Sequence, residues 1–430
     1  MVYEQGKVSE RAYWSLDYHD KREGRTEQEI EEEFRAVLTE SVALRLASDV
    51  PLGAFLSGGV DSSSVVAVMS RLMNRPVKTF SIGFKEEAFN ELPFAREVAT
   101  QFWTEHHEFI VEPSAMDILP TLVTVYDEPY ADSSAIPTYY VAQLSREFVT
   151  VALNGDGGDE LLAGYPRYKL LPWERQADRW LSGKAGAFLR SFLPSDKADG
   201  RGSRLLSRLE RLATPFSRTY LERIRYFSRE EKSRLYQPDF SSMVSGEDSY
   251  RLLTSWFEEA KATDLLDRLL AVDTRSYLPD DLLVKVDRAT MAHGLEARSP
   301  FLDHKLVEFA AALPADMKVR NGQGKYLLKK AMRGTLPDSI LDRPKMGFGV
   351  PIDRWFREDC RDFVRDTLLS SQAIGRGYFQ PERVRELLDR HQGVGENYGS
   401  RLYALLMLEL WHKAYVDERQ PCQLELTQVP

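Results

Sequence analysis

The residues best suited to chemistry crowd into one short stretch, "FLSGGVDSSS". Ser57, Gly58, Gly59, Asp61, Ser62 and Ser63 stand there between an apolar run and a segment of helical periodicity. A chain that leaves a strand at a glycine pair and enters a helix at about Ser62 presents several backbone N–H groups without intrahelical partners, a setting that binds anions. Glycine lets the backbone approach a ligand closely, and the hydroxyls of Ser57, Ser62 and Ser63 add donors. The loop has no lysine, so it is not the GxxxxGK[ST] type. Asp61 beside a bound phosphate is repulsive unless a cation lies between them, and Mg²⁺ is the cation expected. A plain glycine turn with a serine-capped helix explains the glycines and one serine, but not the whole set.

Three further segments carry charge in unusual settings. In "ALNGDGGDELLAGYPRY", Asp156, Asp159 and Glu160 follow the apolar "VTVAL". Successive strand ends of a parallel sheet lie on one edge, so Asp159 is placed to meet Asp61 across one shared cation and the phosphate it binds. Taken alone, the cluster reads equally as a calcium loop or a solvated acidic turn. The stretch Tyr277–Ala310 sets Lys285, Asp287, Arg288, Glu296 and Arg298 among leucines and phenylalanines. Charges so close to apolar residues are expected to be paired, either at a site or in a salt-bridge network joining two parts of the fold. Last, Lys325, Arg343 and Lys345 stand beside glycines and prolines, and oriented cations of this kind neutralise a departing polyphosphate. His106, His107, His293 and His304 lack ligand spacing and are read as structural.

These residues need elements to hold them. Thr26 is placed to cap a helix over Glu27–Leu46, with Ile30, Phe34, Val37, Leu38, Val42 and Leu46 on one face. "PLGAFL" and "VKTFSIGF" read as buried strands flanking the helical "SSVVAVMSRLM", which makes a βαβ unit and a parallel sheet. The pattern continues with a helix near Pro93–Trp103, a strand at "HHEFIV", helices around Ile118–Tyr126 and Tyr139–Arg146, and a strand at "VTVALNG". The fold class expected is α/β, a doubly wound parallel sheet with a helical C-terminal region. Strand signals fade after Tyr168. Divisions are expected at 1–26 (linker-like), 27–170 (α/β core), 171–264 (variable helical insertion), 265–415 (helical) and 416–430 (tail).

At 430 residues the chain is long enough for two or three cores, and its net charge of -9 gives no general pull toward nucleic acid or anionic membranes. No apolar run reaches the length of a bilayer span or resembles a signal peptide. Cys360 and Cys422 form no CxxC pair and fit a reducing cytoplasm.

Taken together, "FLSGGVDSS", "DEPYADSSAIPTYY", "NGDGGDELLAGY", "MAHGLEARSPFLD" and "RPKMGFGVP", in this order, resemble the synthetase domain of glutamine-dependent asparagine synthetases from about Tyr13 to Tyr415. The resemblance implies an ATP pyrophosphatase core of the adenine nucleotide alpha hydrolase-like kind. It implies that ATP activates the aspartate side chain as β-aspartyl-AMP, which ammonia converts to asparagine with release of AMP and pyrophosphate. By motif position, Leu56 and Ile82 flank the adenine or ribose and Asn154 and Gly155 continue that site. The stretch from Ser57 to Ser62 cradles pyrophosphate, Asp61 and Asp159 hold Mg²⁺, and Lys325 and Lys345 match lysines at phosphate or the transition state. Two positions depart from the family. Asp156 stands where a glutamate is usual and Asn154 where a serine is usual, which leaves fine specificity open. The family normally carries an N-terminal glutaminase domain with a cysteine nucleophile, whereas position two is Val2 and "RAYWSLDYHD" resembles the linker after such a domain. The expectation is that this chain alone does not hydrolyse glutamine. It uses free ammonia, borrows a glutaminase partner or is part of a longer product, and a homodimer is open. The remaining alternatives are a related amide or β-lactam synthetase acting on another carboxylate, and a nucleotide-binding interaction module without catalysis.

Overall fold

Thr26 starts the first long helix, α1 (Glu27–Arg45), through a reciprocal capping box: its hydroxyl accepts from the Glu29 N–H, and the Glu29 carboxylate accepts from the Thr26 N–H at 2.8 Å. Ile30, Phe34, Leu38 and Val42 form its buried stripe. The computed structural model describes residues 1–22, 24–169, 216–246, 249–347, 349–393 and 395–417.

After α1 the chain alternates β3 (Leu52–Phe55), α2 (Val60–Leu72), β4 (Lys78–Phe84), α3 (Leu92–Gln101) and β5 (Glu105–Val111). It continues through α4 (Leu119–Tyr126), α5 (Ala135–Arg146), β6 (Val151–Leu153) and α6 (Gly158–Leu162). The strands pair in the order β5-β4-β3-β6-β7, all parallel, with β7 at Glu296–Arg298. The order reverses between β3 and β6. A doubly wound sheet binds its ligand in the crevice at such a switch point.

Alternation along the strands feeds two cores. Leu52, Ala54, Val151 and Leu153 face the layer of α1, α2 and α3, while Phe80, Ile82, Phe84 and Ala152 face α4, α5 and the C-terminal helix Gly399–His412. A third apolar cluster, built on Leu265–Arg275, gathers Tyr168, Tyr220 and Leu269.

Two elements differ from the sequence reading. The chain returns to the sheet at β7, whose "EAR" has no apolar pattern; the strand is held by backbone pairing with β6, and Asn154 N–H donates to the Arg298 carbonyl at 2.9 Å. At the N-terminus, β1 (Val2–Glu4) and β2 (Lys7–Ser9) form an exposed antiparallel hairpin where a linker was expected. The helix-like reading of Leu170 to Asp264 lies outside the described residues over 170–215. Helices Phe216–Ile224, Arg229–Leu235, Pro238–Met243 and Arg251–Glu259 fill its described part. Residues 418–430, with Cys422, are likewise outside. Among the described residues, no helix is long and apolar enough to cross a membrane.

Candidate active site

The loop between β3 and α2 is folded by its own serines. Ser57 N–H donates to Ser62 Oγ at 3.2 Å, the two hydroxyls share a bond of 3.0 Å, and Gly59 N–H donates to Ser57 Oγ at 3.2 Å. Gly58 has φ +69°, and a Cβ there would lie 2.6 Å from Ala95 N, so only glycine fits. The first turn of α2 then points its unpaired N–H groups at the carboxyl edge of the sheet.

The second glycine loop packs directly on the first. A Cβ on Gly158 would fall 2.5 Å from Asp61 Oδ1, so α6 can begin against α2 only without a side chain at that position. This contact brings Asp61 and Asp159 to one place. Lys325 enters from the helical region: its ammonium bonds Asp61 Oδ2 and lies 2.5 Å from Asp159 Oδ1. Lys345 donates to Asp159 Oδ2 at 2.7 Å. Arg343 donates to the Gly58 carbonyl at 3.1 Å and to Glu91 at 2.5 Å, tying the same C-terminal loop to the phosphate loop.

The electrostatics are uneven. Burial raises the Asp61 carboxyl above its usual range against the pull of Lys325. Asp159 is just as buried, but Lys325 and Lys345 together hold it well below. Burial pushes Asp156 up to about 6 and Glu160 up to about 7, the latter helped by the charge of Asp159. The Tyr165 hydroxyl donates to Glu160 at 2.5 Å. Asp61 Oδ1 and Asp156 Oδ2 are buried without a hydrogen-bond partner. Such oxygens call for a ligand atom or a cation.

A cleft of about 640 Å³ joins these groups. Leu56, Ser57, Gly59, Asp61, Ser62, Ile82, Asn154, Gly155, Asp156, Asp159, Lys325 and Lys345 all line it, so the structure gathers twelve expected residues from distant parts of the chain. Gly58 and Ser63 are not brought to it. Gly58 turns the loop from behind, and the Ser63 hydroxyl is fully buried in α2. Arg298 and Glu296 pair at 2.7 Å, and Arg298 also donates to the carbonyls of Arg45 and Ala47 at 2.8 and 2.7 Å. Of the two roles open to them, the structural one is what the contacts show. None of His106, His107, His293 and His304 lines the cleft.

Sequence reading missed one wall. Lys285 donates to Asp132 Oδ2 at 2.9 Å and to Ser134 Oγ at 2.7 Å, and all three line the cleft. Asp132 and Ser134 look like ordinary helix-start residues, and Asp132 Oδ1 does accept from Ser134 N–H at 2.9 Å; the segment "DEPYADSSAIPTYY" and the buried charge of Lys285 were the signals that could have found them.

The divalent cation can be tested against this arrangement. Among the described residues, no group of three or more His, Cys, Asp or Glu side chains is disposed to hold a metal ion. The unpartnered Asp61 oxygen beside Asp159 nevertheless fits the Mg²⁺ habit of taking one or two carboxylates and completing its shell with substrate phosphates.

Comparison with known proteins agrees with this geometry. The family model described as "Asparagine synthase" matches residues 33–413. The chain belongs to the asparagine synthase family. It is 33% identical over 423 residues to "Asparagine synthetase [glutamine-hydrolyzing] 1" of Bacillus subtilis, covering 96% of this chain and 64% of the relative. It is 33% identical over 405 residues to "Putative asparagine synthetase [glutamine-hydrolyzing]" of Mycobacterium bovis, covering 93% of this chain and 60% of the relative. A more distant relative, "Amidase chry2" of Gibberella zeae, is 24% identical over 429 residues, covering 88% of this chain and 61% of the relative. The chain thus spans less than two thirds of the length of these relatives.

Proposed function

We propose that the chain makes asparagine from aspartate, ATP and ammonia by way of β-aspartyl-AMP. The observation that carries this reading is one cleft in which a lysine-free phosphate loop, two carboxylates and two lysines from another region converge. In the first step a side-chain carboxylate oxygen attacks the α-phosphorus. The α–β bridge breaks and pyrophosphate leaves. Ammonia then adds to the acyl carbon, AMP departs with the bonding pair, and the extra protons pass to water or a carboxylate. Esterification to AMP turns a poor leaving group into a good one and removes the negative charge that repels a nucleophile.

The parts divide this work. Leu56 and Ile82 flank the base or ribose, continued by Asn154 and Gly155; the Ser57–Ser62 loop and the first turn of α2 cradle the pyrophosphate. Lys325 and Lys345 face charge that builds up as the α–β bond breaks. Asp156 supports formation of the acyl-adenylate. Asp61 and Asp159 would hold Mg²⁺, which when bound neutralises the polyphosphate. Ammonia comes free in solution or from a glutaminase domain or subunit.

A second reading keeps the chemistry and changes the acid, as in amide or β-lactam synthetases; the similarity to "Amidase chry2" favours keeping it open. A purely binding role is less favoured because Asp61, Asp159 and Lys345 all meet in the cleft. ATP–pyrophosphate exchange separates the readings. Aspartate-stimulated exchange is expected; stimulation only by other carboxylic acids selects the second reading, and none at all by folded protein overturns both.

A further inference from the structure

The cleft is larger than a nucleotide's phosphates require, and its remaining wall is charged. Lys285 is 7% exposed, and its ammonium spends two of three protons on Asp132 and Ser134, leaving one. Asp132 lines the same space with its side chain 21% exposed. Burial opposes both charges, yet each holds the other: Asp132 is lowered by Lys285, and Lys285 is raised by Asp132. Asp156 and Lys345 line the same cleft as Lys285 and Asp132, so the pair shares one space with the reacting centre. A buried ion pair contributes little net stability compared with an apolar pair of the same volume. One that opens on a substrate cleft offers an anion site and a cation site side by side.

We propose that Lys285 and Asp132, with Ser134 positioning both, read the zwitterionic head of the acid that is activated. Lys285 takes the α-carboxylate and Asp132 the α-ammonium, while the distal carboxylate reaches Asp156 and the α-phosphorus. This rests on the amidation reading above and sharpens it, because it requires an α-amino acid. The competing account is a purely structural tie between helix Val284–Met291 and the loop before α5, a tie to which the Tyr126 hydroxyl adds a 3.0 Å bond to the Lys285 carbonyl.

Exchange measured with aspartate, with β-alanine (which lacks the α-carboxylate) and with succinate (which lacks the α-ammonium) tests the assignment. The intact chain should prefer aspartate to both. Lys285→Met should raise KM for aspartate by about 10- to 100-fold, the scale of a lost hydrogen bond to a charged group, with KM for ATP and for β-alanine moving less than about threefold. Asp132→Asn should raise KM for aspartate and for β-alanine, which both carry the ammonium, by a similar factor, with KM for ATP and for succinate moving less than about threefold. A structural tie would not redistribute selectivity among the acids in this way. If a single variant does not fold, the paired Lys285→Met/Asp132→Asn, which removes both charges of the ion pair together, should erase the preference for aspartate over β-alanine and succinate, with KM for ATP moving less than about threefold. Equal exchange with all three acids, or an aspartate KM unmoved in a folded variant, overturns this inference and leaves amidation standing. Absence of exchange with every acid overturns both.

Discussion

Asp61 carries the most consequence for its size. It faces Lys325, it approaches Asp159, and one of its oxygens is buried without a partner. Asp61→Asn keeps shape and volume but removes the charge that would hold the cation, so aspartate-stimulated exchange should fall by about 100-fold or more, the scale of losing one positioned electrostatic group. Denaturant unfolding of the same variant should shift far less. Equal loss of fold and activity would contradict the role given to this residue. Asp156 allows a prediction about pH. Its carboxyl titrates near 3.8 when unfolded and about 6 in the fold. Across that window the folded chain keeps a proton that the unfolded chain has released, so stability falls as pH rises. At 1.36 kcal/mol per unit the whole window is worth about 3 kcal/mol. Unfolding of wild type and Asp156→Asn at pH 4 and pH 7 isolates this group. The variant should gain about 2 to 3 kcal/mol relative to wild type between the two values, and parallel curves would count against a raised carboxyl.

At the scale of elements, the decisive contact joins the starts of α2 and α6. A methyl at Gly158 meets Asp61 Oδ1 at 2.5 Å and Cγ at 2.7 Å, so Gly158→Ala must push the two loops apart. The expected cost is about 1–3 kcal/mol of stability by overpacking, together with loss of most exchange activity; melting and exchange assays on one preparation check both. The sequence shows these elements unequally. The Thr26 cap and the βαβ run are visible because side-chain periodicity and local hydrogen-bonding chemistry follow the backbone there. β7 is not visible, because "EAR" is recruited by unpaired backbone groups of β6 and has no apolar face to bury. The same division runs through the site. Glycine, serine and aspartate at a strand end announce a phosphate loop, but the partnership of Lys285 with Asp132 spans 153 positions and is set by tertiary packing. Ser63 shows the converse error, since its place beside Ser62 in the motif hides that α2 turns it into the core.

For the whole molecule, the switch point between β3 and β6 explains why one small cleft unites residues from Leu56 to Lys345. Its floor is the sheet edge, clamped by apolar layers on both faces. One rim, carrying Lys325 and Arg343–Lys345, arrives from the helical part of the chain. A ligand that bridges floor and rim should therefore stabilise the entire fold. At a hundred times its dissociation constant, such a ligand adds about 2.7 kcal/mol. ATP alone brings polyphosphate oxygens toward Asp61 and Asp159, and this repulsion offsets the attraction of Lys325 and Lys345. ATP with Mg²⁺ places a cation between the two sets of oxygens. Melting of the whole chain should therefore respond weakly to ATP in EDTA and strongly to ATP with excess Mg²⁺. The increment due to Mg²⁺ should shrink in Asp61→Asn, where less negative charge awaits the metal. The same shift with and without Mg²⁺, in wild type and variant alike, would remove Asp61 and Asp159 from any part in metal binding and leave the counter-charge to the phosphates to the cations that line the cleft, Lys325 and Lys345 among them.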